Sequence, residues 1–104
     1  MEVSGLYCYN CKLFVYSRAR HDFSACKCWE EDRAKGFAVD GGQSDYFKVS
    51  IGSKAKYKWA RINIKEEEID LINDWNSNKN KLGKIFINNI DNYSGLVKFK
   101  DKGE

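Results

Sequence analysis

The sequence has no proline, one methionine and one histidine, and its 104 residues hold no long hydrophobic run. Without proline, collagen-like and proline-rich linker classes are excluded. A bilayer span needs about 20 apolar residues, so no membrane partner is expected. Met1-Glu2-Val3-Ser4-Gly5 lacks the basic start and apolar stretch of an export signal, which points to the cytoplasm. What is present argues for a packed core: 42% of residues are apolar and 14% aromatic, too many for a disordered chain. One domain is expected at this length. Such a short chain buries only about 60–70% of its unfolded surface, so a metal or disulfide staple would matter.

The net charge of +3 hides a patchwork. Residues 47–65 carry Lys48, Lys54, Lys56, Lys58, Arg61 and Lys65 with no acid, whereas 66–75 carry Glu66, Glu67, Glu68, Asp70 and Asp74 with no base. Residues 29–46 are acidic as well. One broad basic field would mark a nucleic-acid binder; alternating blocks also suit solvated faces of mixed charge. Lysine outnumbers arginine fourteen to four, which favours attraction to a phosphate backbone over base-edge readout.

The expected fold is a small α+β protein, mainly antiparallel sheet, in two halves packed as one unit. Residues 1–50 hold every cysteine and the histidine and read as zinc-ribbon-like β-hairpins. Leu13-Phe14-Val15-Tyr16 suits a buried strand, and His21 to Ala25 runs extended. Gly36-Phe37-Ala38-Val39 and Asp45-Tyr46-Phe47-Lys48-Val49 flank the turn Asp40-Gly41-Gly42, where glycines supply positive φ. Residues 51–104 read as strand, helix and β-hairpin. Lys54 to Ile64 alternates, but its apolar residues change phase, which predicts a bulge or break near Trp59–Ala60. Asn63 and Glu66 resemble a capping box, and Ile69, Ile72 and Trp75, with Leu71, form a helical stripe. Lys84–Ile90 and Leu96–Lys100 are strand-like and predict a second hairpin. Tyr57, Trp59, Ile69, Ile72, Trp75, Ile85, Ile87 and Val97 are the expected core of this half.

The most specific pattern is Cys8-x2-Cys11, fourteen intervening residues, then Cys26-x-Cys28. Two close cysteines on a tight turn aim both sulfurs at one spot, and two such turns make a tetrahedral four-thiolate site that suits structural Zn²⁺. Four ligands leave no open position for a catalytic water. Disulfides would need an oxidising compartment, a redox pair would need a helix-opening motif in a βαβ unit, and an iron–sulfur cluster also takes four thiolates. Lys12 and Trp29 stand where a knuckle often has glycine, so Asn10 is the candidate for the left-handed position of the first turn. His21 and Asp22 are read as a pair supporting the metal from behind; a general base or a fourth ligand is the alternative for His21. Without an open metal position or a paired acid and base, the chain is not expected to be an enzyme.

Cys8-x2-Cys11, Arg20-His21-Asp22-Phe23, Cys26-x-Cys28, Val39-Asp40-Gly41-Gly42 and Asp45-Tyr46-Phe47 together resemble a family of small uncharacterised zinc-ribbon proteins of phages and bacteria, over residues 8–47. The resemblance implies zinc binding and phage association, and it names no activity. This chain departs by inserting Trp29 to Lys35 before Gly36. The insertion, with Trp29, Glu30 and Glu31, and residues 51–104 are where a specialised role would sit.

Two functions follow as expectations. One is an interaction protein docking on a protein or ribonucleoprotein partner, of the kind that inhibits host defence nucleases (anti-CRISPR-like), with Trp29, Tyr57 and Trp59 as aromatic anchors. The other is direct DNA or RNA binding, with Lys54, Lys56, Lys58 and Arg61 on phosphates and Tyr57 or Trp59 stacking on bases. Strict alternation, however, sets those aromatics opposite the lysines.

Overall fold

Seven residues that alternate between two destinations set the architecture. In a computed structural model, which describes residues 1–43 and 47–97, strand β1 (Glu2–Cys8) sends Val3 and Tyr7 into one core and Leu6 and Cys8 into another. A strand buried on both faces must do this, because successive side chains point to opposite sides. Strand β2 (Leu13–Val15) returns antiparallel to it, with Leu6 opposite Val15. Then follow β3 (Ser24–Ala25), a short helix α1 (Lys27–Glu31), β4 (Phe37–Asp40), β5 (Lys48–Ile51), β6 (Tyr57–Asn63), helix α2 (Glu68–Asn76) and β7 (Lys84–Phe86). The sheets run β6-β1-β2-β7 and β3-β4-β5, and every pairing is antiparallel. The larger sheet takes two strands from each half of the chain. A small α+β fold is therefore what the residues build.

The first hairpin forms as its turn residues predict. Asp40 pairs with Lys48, and Gly41 and Gly42 adopt φ of 89° and 75°. Asp45 and Tyr46 of the predicted strand lie outside the described residues.

Five expectations for the second half need correction. β6 pairs with β1 unbroken from Asn63 to Tyr57, so no bulge forms at Trp59–Ala60. The phase conflict is resolved by exposure: Ala60 and Ile62 face the core, while Tyr57 and Trp59 take the opposite, exposed face. The strand starts only at Tyr57: Lys54 belongs to a turn held by its N–H on the Ala34 carbonyl at 2.7 Å and Ala55 N–H on that of Gly52 at 3.2 Å, and Lys56 follows it with its carbonyl on the Tyr9 N–H at 3.0 Å. The second hairpin is also not what the described residues make. β7 lies against β2, with Ile85 opposite Phe14, while Leu96 bridges to Ile62 on the far edge of the sheet. The start of the chain supplies a better apolar partner for Lys84–Phe86 than its own neighbour. The predicted residues Lys98 to Lys100 lie outside the described residues.

Helix α2 is capped later than predicted: the Asp70 carboxylate accepts from the Glu67 N–H at 2.8 Å, while Asn63 is still strand. Its buried face is Leu71 and Asp74; Ile69 is 59% exposed. Trp59 and Tyr57, expected in the core, are 49% and 38% exposed, and the core on this side is Val3, Tyr7, Phe14, Tyr16, Ala60, Ile62, Leu71, Ile87 and Ile90. The buried Tyr7 hydroxyl donates to the Ile87 carbonyl at 2.6 Å, which meets the partner a buried phenol requires.

Candidate metal centre

All four cysteines come together on the other side of the large sheet. Cys8 ends β1 and Cys11 sits in the turn to β2; Cys26 caps α1 and Cys28 lies in its first turn. The first turn is closed by Lys12 N–H on the Cys8 carbonyl at 2.8 Å. Lys12, not Asn10, takes the left-handed conformation, with φ of 63°. It stands where glycine would be easiest, and it pays the usual strain of a side chain there. The second pair is built differently. Asp32 N–H bonds the Cys28 carbonyl at 2.9 Å and Cys26 N–H bonds that of Phe37 at 3.2 Å, so a single helical turn anchored on β4 presents both thiols. Gly36 makes this possible: a Cβ there would overlap the backbone nitrogen of Trp29.

The four Sγ atoms lie within 4.8 Å of one another, and those of Cys8 and Cys28 are 3.7 Å apart. A tetrahedron with metal–sulfur bonds near 2.3 Å has sulfur–sulfur edges of about 3.8 Å, so this spacing fits one ion. It is far too long for a disulfide, and all four cysteines are free. The four thiols could hold a metal ion such as zinc. Burial pushes the Cys8 and Cys28 thiols up. At Cys11 burial acts the same way but loses to hydrogen bonds from Cys8 and from backbone N–H groups of Leu13, Cys28 and Lys27, and the thiol is lowered. Backbone donors converging on a sulfur are what a thiolate ligand needs, and a bound divalent cation would deprotonate the remaining thiols. Leu6, Val15, Phe37 and Val39 pack with the buried Cys8 and Cys26, while Cys11 and Cys28 stay partly exposed.

His21 and Asp22 are placed elsewhere by their contacts. Asp22 is buried, and its carboxylate accepts from the Arg18 backbone N–H at 2.8 Å, from Nε at 2.7 Å and from Nη2 at 3.0 Å. His21 is exposed and lines a depression with Arg20, Asp40, Gly41 and Lys48. The predicted binding residues scatter. Lys58 is turned to Asp91 at 2.6 Å, Lys54 lies in the turn and Lys56 just ahead of β6, so the three lysines form no single phosphate track. Tyr57, Trp59 and Arg61 do share one exposed face of β6, where the Trp59 ring meets that of Phe47 at 6.0 Å. Trp29 is half-buried under the Arg33 guanidinium, and Glu30 and Glu31 are exposed on α1.

One buried cluster escaped the sequence reading. Arg18 reaches Asp22 and, through Nη1 at 2.6 Å, Asp74 of α2; its side chain is 8% exposed. Asp74 also accepts from the N–H groups of Lys81 and Leu82, at 3.1 and 2.9 Å. Burial raises the Asp74 carboxyl, but these N–H groups and Arg18 outweigh it, and the net direction is down. The available signal was an acid three residues after Leu71 on a buried helical face, which demands a cationic partner.

Fold and site together define a small α+β protein with a four-cysteine candidate metal centre. Among known proteins the chain matches no family model, no curated protein and no solved structure. No helix among the described residues is long and apolar enough to cross a membrane.

Proposed function

We propose that this is a non-enzymatic, zinc-stabilised interaction protein of phage or mobile-element type, acting in the host cytoplasm on a protein or ribonucleoprotein partner. Inhibition of a host defence nuclease is the finer form of the proposal. The observation that supports it most is the convergence of four thiols within 4.8 Å, which fills zinc's tetrahedral positions and leaves the metal a structural task. Exposed aromatics on the same side of the sheet as that site, Phe23, Tyr57, Trp59 and Phe86, are the residue types that anchor interfaces. The test is a pull-down with the zinc-loaded chain, followed by reconstitution with the purified partner. A stoichiometric complex that withstands moderate salt supports the reading; a chain that sediments alone with every candidate overturns it.

A second reading, direct DNA or RNA binding, is favoured by one observation. Arg61 shares the exposed face of β6 with Tyr57 and Trp59, so one cation stands beside two stacking platforms. A gel shift that weakens steeply with salt supports this reading, and no shift at low salt rejects it.

A further inference from the structure

The two outer edges of the large sheet are treated differently. On the β6 side the chain covers itself: Asn63 N–H bonds the Gly95 carbonyl at 2.7 Å and Val97 N–H bonds that of Arg61 at 2.8 Å. On the β7 side no strand among the described residues pairs with the outer edge. Proteins usually blunt such an edge with charge, proline or a bulge. Here the edge strand is only three residues long and carries one charge, Lys84, but it ends in Phe86, which is 67% exposed.

The backbone groups on that edge can be assigned. Tyr16 N–H bonds the Gly83 carbonyl at 2.9 Å and Ile87 N–H bonds that of Lys12 at 2.8 Å. Antiparallel ladders alternate, so Gly83, Ile85 and Ile87 spend their groups on β2, and those of Lys84 and Phe86 point outward. Lys84 and Phe86 also share a side-chain face, opposite Val15 and Leu13, which is the face of the metal centre. Beside it lies a cleft of about 570 Å³. One wall is Lys84; the other carries Ser24 and Ala25 of β3, itself the outer strand of the second sheet. Its aromatic lining is Phe23, 59% exposed, against Trp29 at 6.4 Å between ring centroids. Of its charges, Arg18 and Asp22 pair with each other, which leaves Arg33 and Lys84 against Glu30.

We propose that the outer edge of β7 is a strand-addition site for an extended, acidic segment of a protein partner. The proposal rests on the interaction reading above and names the partner's chemistry. Main-chain groups of Lys84 and Phe86 would bond the added strand, and alternate side chains would enter the cleft. Apolar residues there meet Phe23 and Trp29, with Phe86 exposed beyond the cleft on the same face, and carboxylates meet Arg33 and Lys84. A nucleic acid would use the same cations and rings but would leave the strand's peptide groups unmet.

The experiment pans the zinc-loaded full chain against a displayed library of short random peptides and maps the selected peptides by amide chemical shifts on labelled protein. Expected sequences alternate apolar and acidic residues, and the shifts centre on Lys84, Phe86, Ser24 and Ala25. Phe86→Pro removes an outward donor and no inward one, and should weaken binding about fivefold or more with zinc content unchanged. Should that variant not fold, Lys84→Glu keeps the backbone, reverses the charge, and should weaken binding comparably. The proposal falls if shifts centre on Tyr57 and Trp59, if no saturable peptide emerges, if a folded variant binds as the parent does, or if an oligothymidylate fills the cleft instead. A partner captured equally by parent and variants would leave the interaction reading standing and the edge assignment wrong. Capture by neither, with peptides still binding the edge, would do the reverse.

Discussion

The two cores either side of the large sheet are held by different means. The helix side buries Tyr7, Phe14, Tyr16, Ile62, Leu71, Ile87 and Ile90, large side chains whose removal from water is worth about 1.5–3 kcal/mol each. The metal side has Leu6, Val15, Phe37 and Val39 among its buried members, and two of the others are cysteines. Its strands are short as well: β3 has two residues and β5 four. A small sheet on a thin core needs a staple, and four thiols converge where the apolar side chains run out. The helix side needs none, but it buries an ion cluster, Arg18 with Asp22 and Asp74, that joins the loop after β2 to α2.

This contrast breaks first at the metal. Cys8→Ser, or removal of metal by a strong chelator, should give the largest effect, because structural zinc sites contribute about 10–16 kcal/mol of apparent binding energy to folding. Amide signals of β3, β4 and β5 should collapse while those of β6 and α2 keep more of their dispersion. Equal loss on both sides would show one cooperative unit, and no loss on either would remove the metal's structural role. Metal content by native mass spectrometry should show one zinc per chain.

Next comes the ion cluster. Arg18→Ala leaves two buried carboxylates without their cation and should cost about 3–5 kcal/mol in denaturant unfolding. The pH dependence follows from Asp74, whose carboxyl is held below its usual value when folded. A depressed carboxyl contributes stability that is present above the unfolded value, near 4, and is lost as pH falls through the folded one. The parent should therefore lose stability in that acid range more steeply than Asp74→Asn, measured by denaturant midpoints across pH. Parallel acid limbs would remove Asp74 as the cause.

How much of this was legible follows from the range of each interaction. The cysteine spacing announced four converging thiols because close pairs constrain geometry locally. The Asp40-Gly41-Gly42 hairpin was legible for the same reason, since positive φ is a property of the turn itself. Sheet order was not. Lys84–Phe86 paired with β2 rather than with its neighbour, a choice set by Phe14 and Tyr16 some 70 residues earlier. Lys54 fits the strand alternation, but Ala34 of the inserted segment takes its N–H and holds it in a turn. Periodicity points Trp59 and Ile69 inward by choosing the face with the bulkier side chains, whereas Ala60 and Leu71, one and two residues on, hold the buried phase. His21 and Asp22 sit near Cys26 in sequence, yet Asp22 answers to Arg18.

Smaller effects sharpen the comparison at single positions. Gly36→Ala forces a Cβ into the backbone of Trp29, directly after Cys28, and should cost about 1–3 kcal/mol with weaker zinc affinity in competition against a chromogenic chelator. The loss should fall on the metal side, so amides of α1 and β4 shift while those of α2 stay in place; movement of α2 instead would mean that the two cores are coupled through the sheet. The smallest effect belongs to Ile69→Ser. This residue follows the helical apolar pattern but is 59% exposed, so it contributes little burial, and surface substitutions of this kind usually change stability by less than about 0.5 kcal/mol. Leu71→Ala, two residues along the same helix, removes a fully buried side chain and should cost about 2–5 kcal/mol. If the two variants lose similar stability, α2 is rotated from the face described and Asp74 no longer points at Arg18. A wide difference fixes the rotation of the helix and, with it, the cation that Asp74 holds.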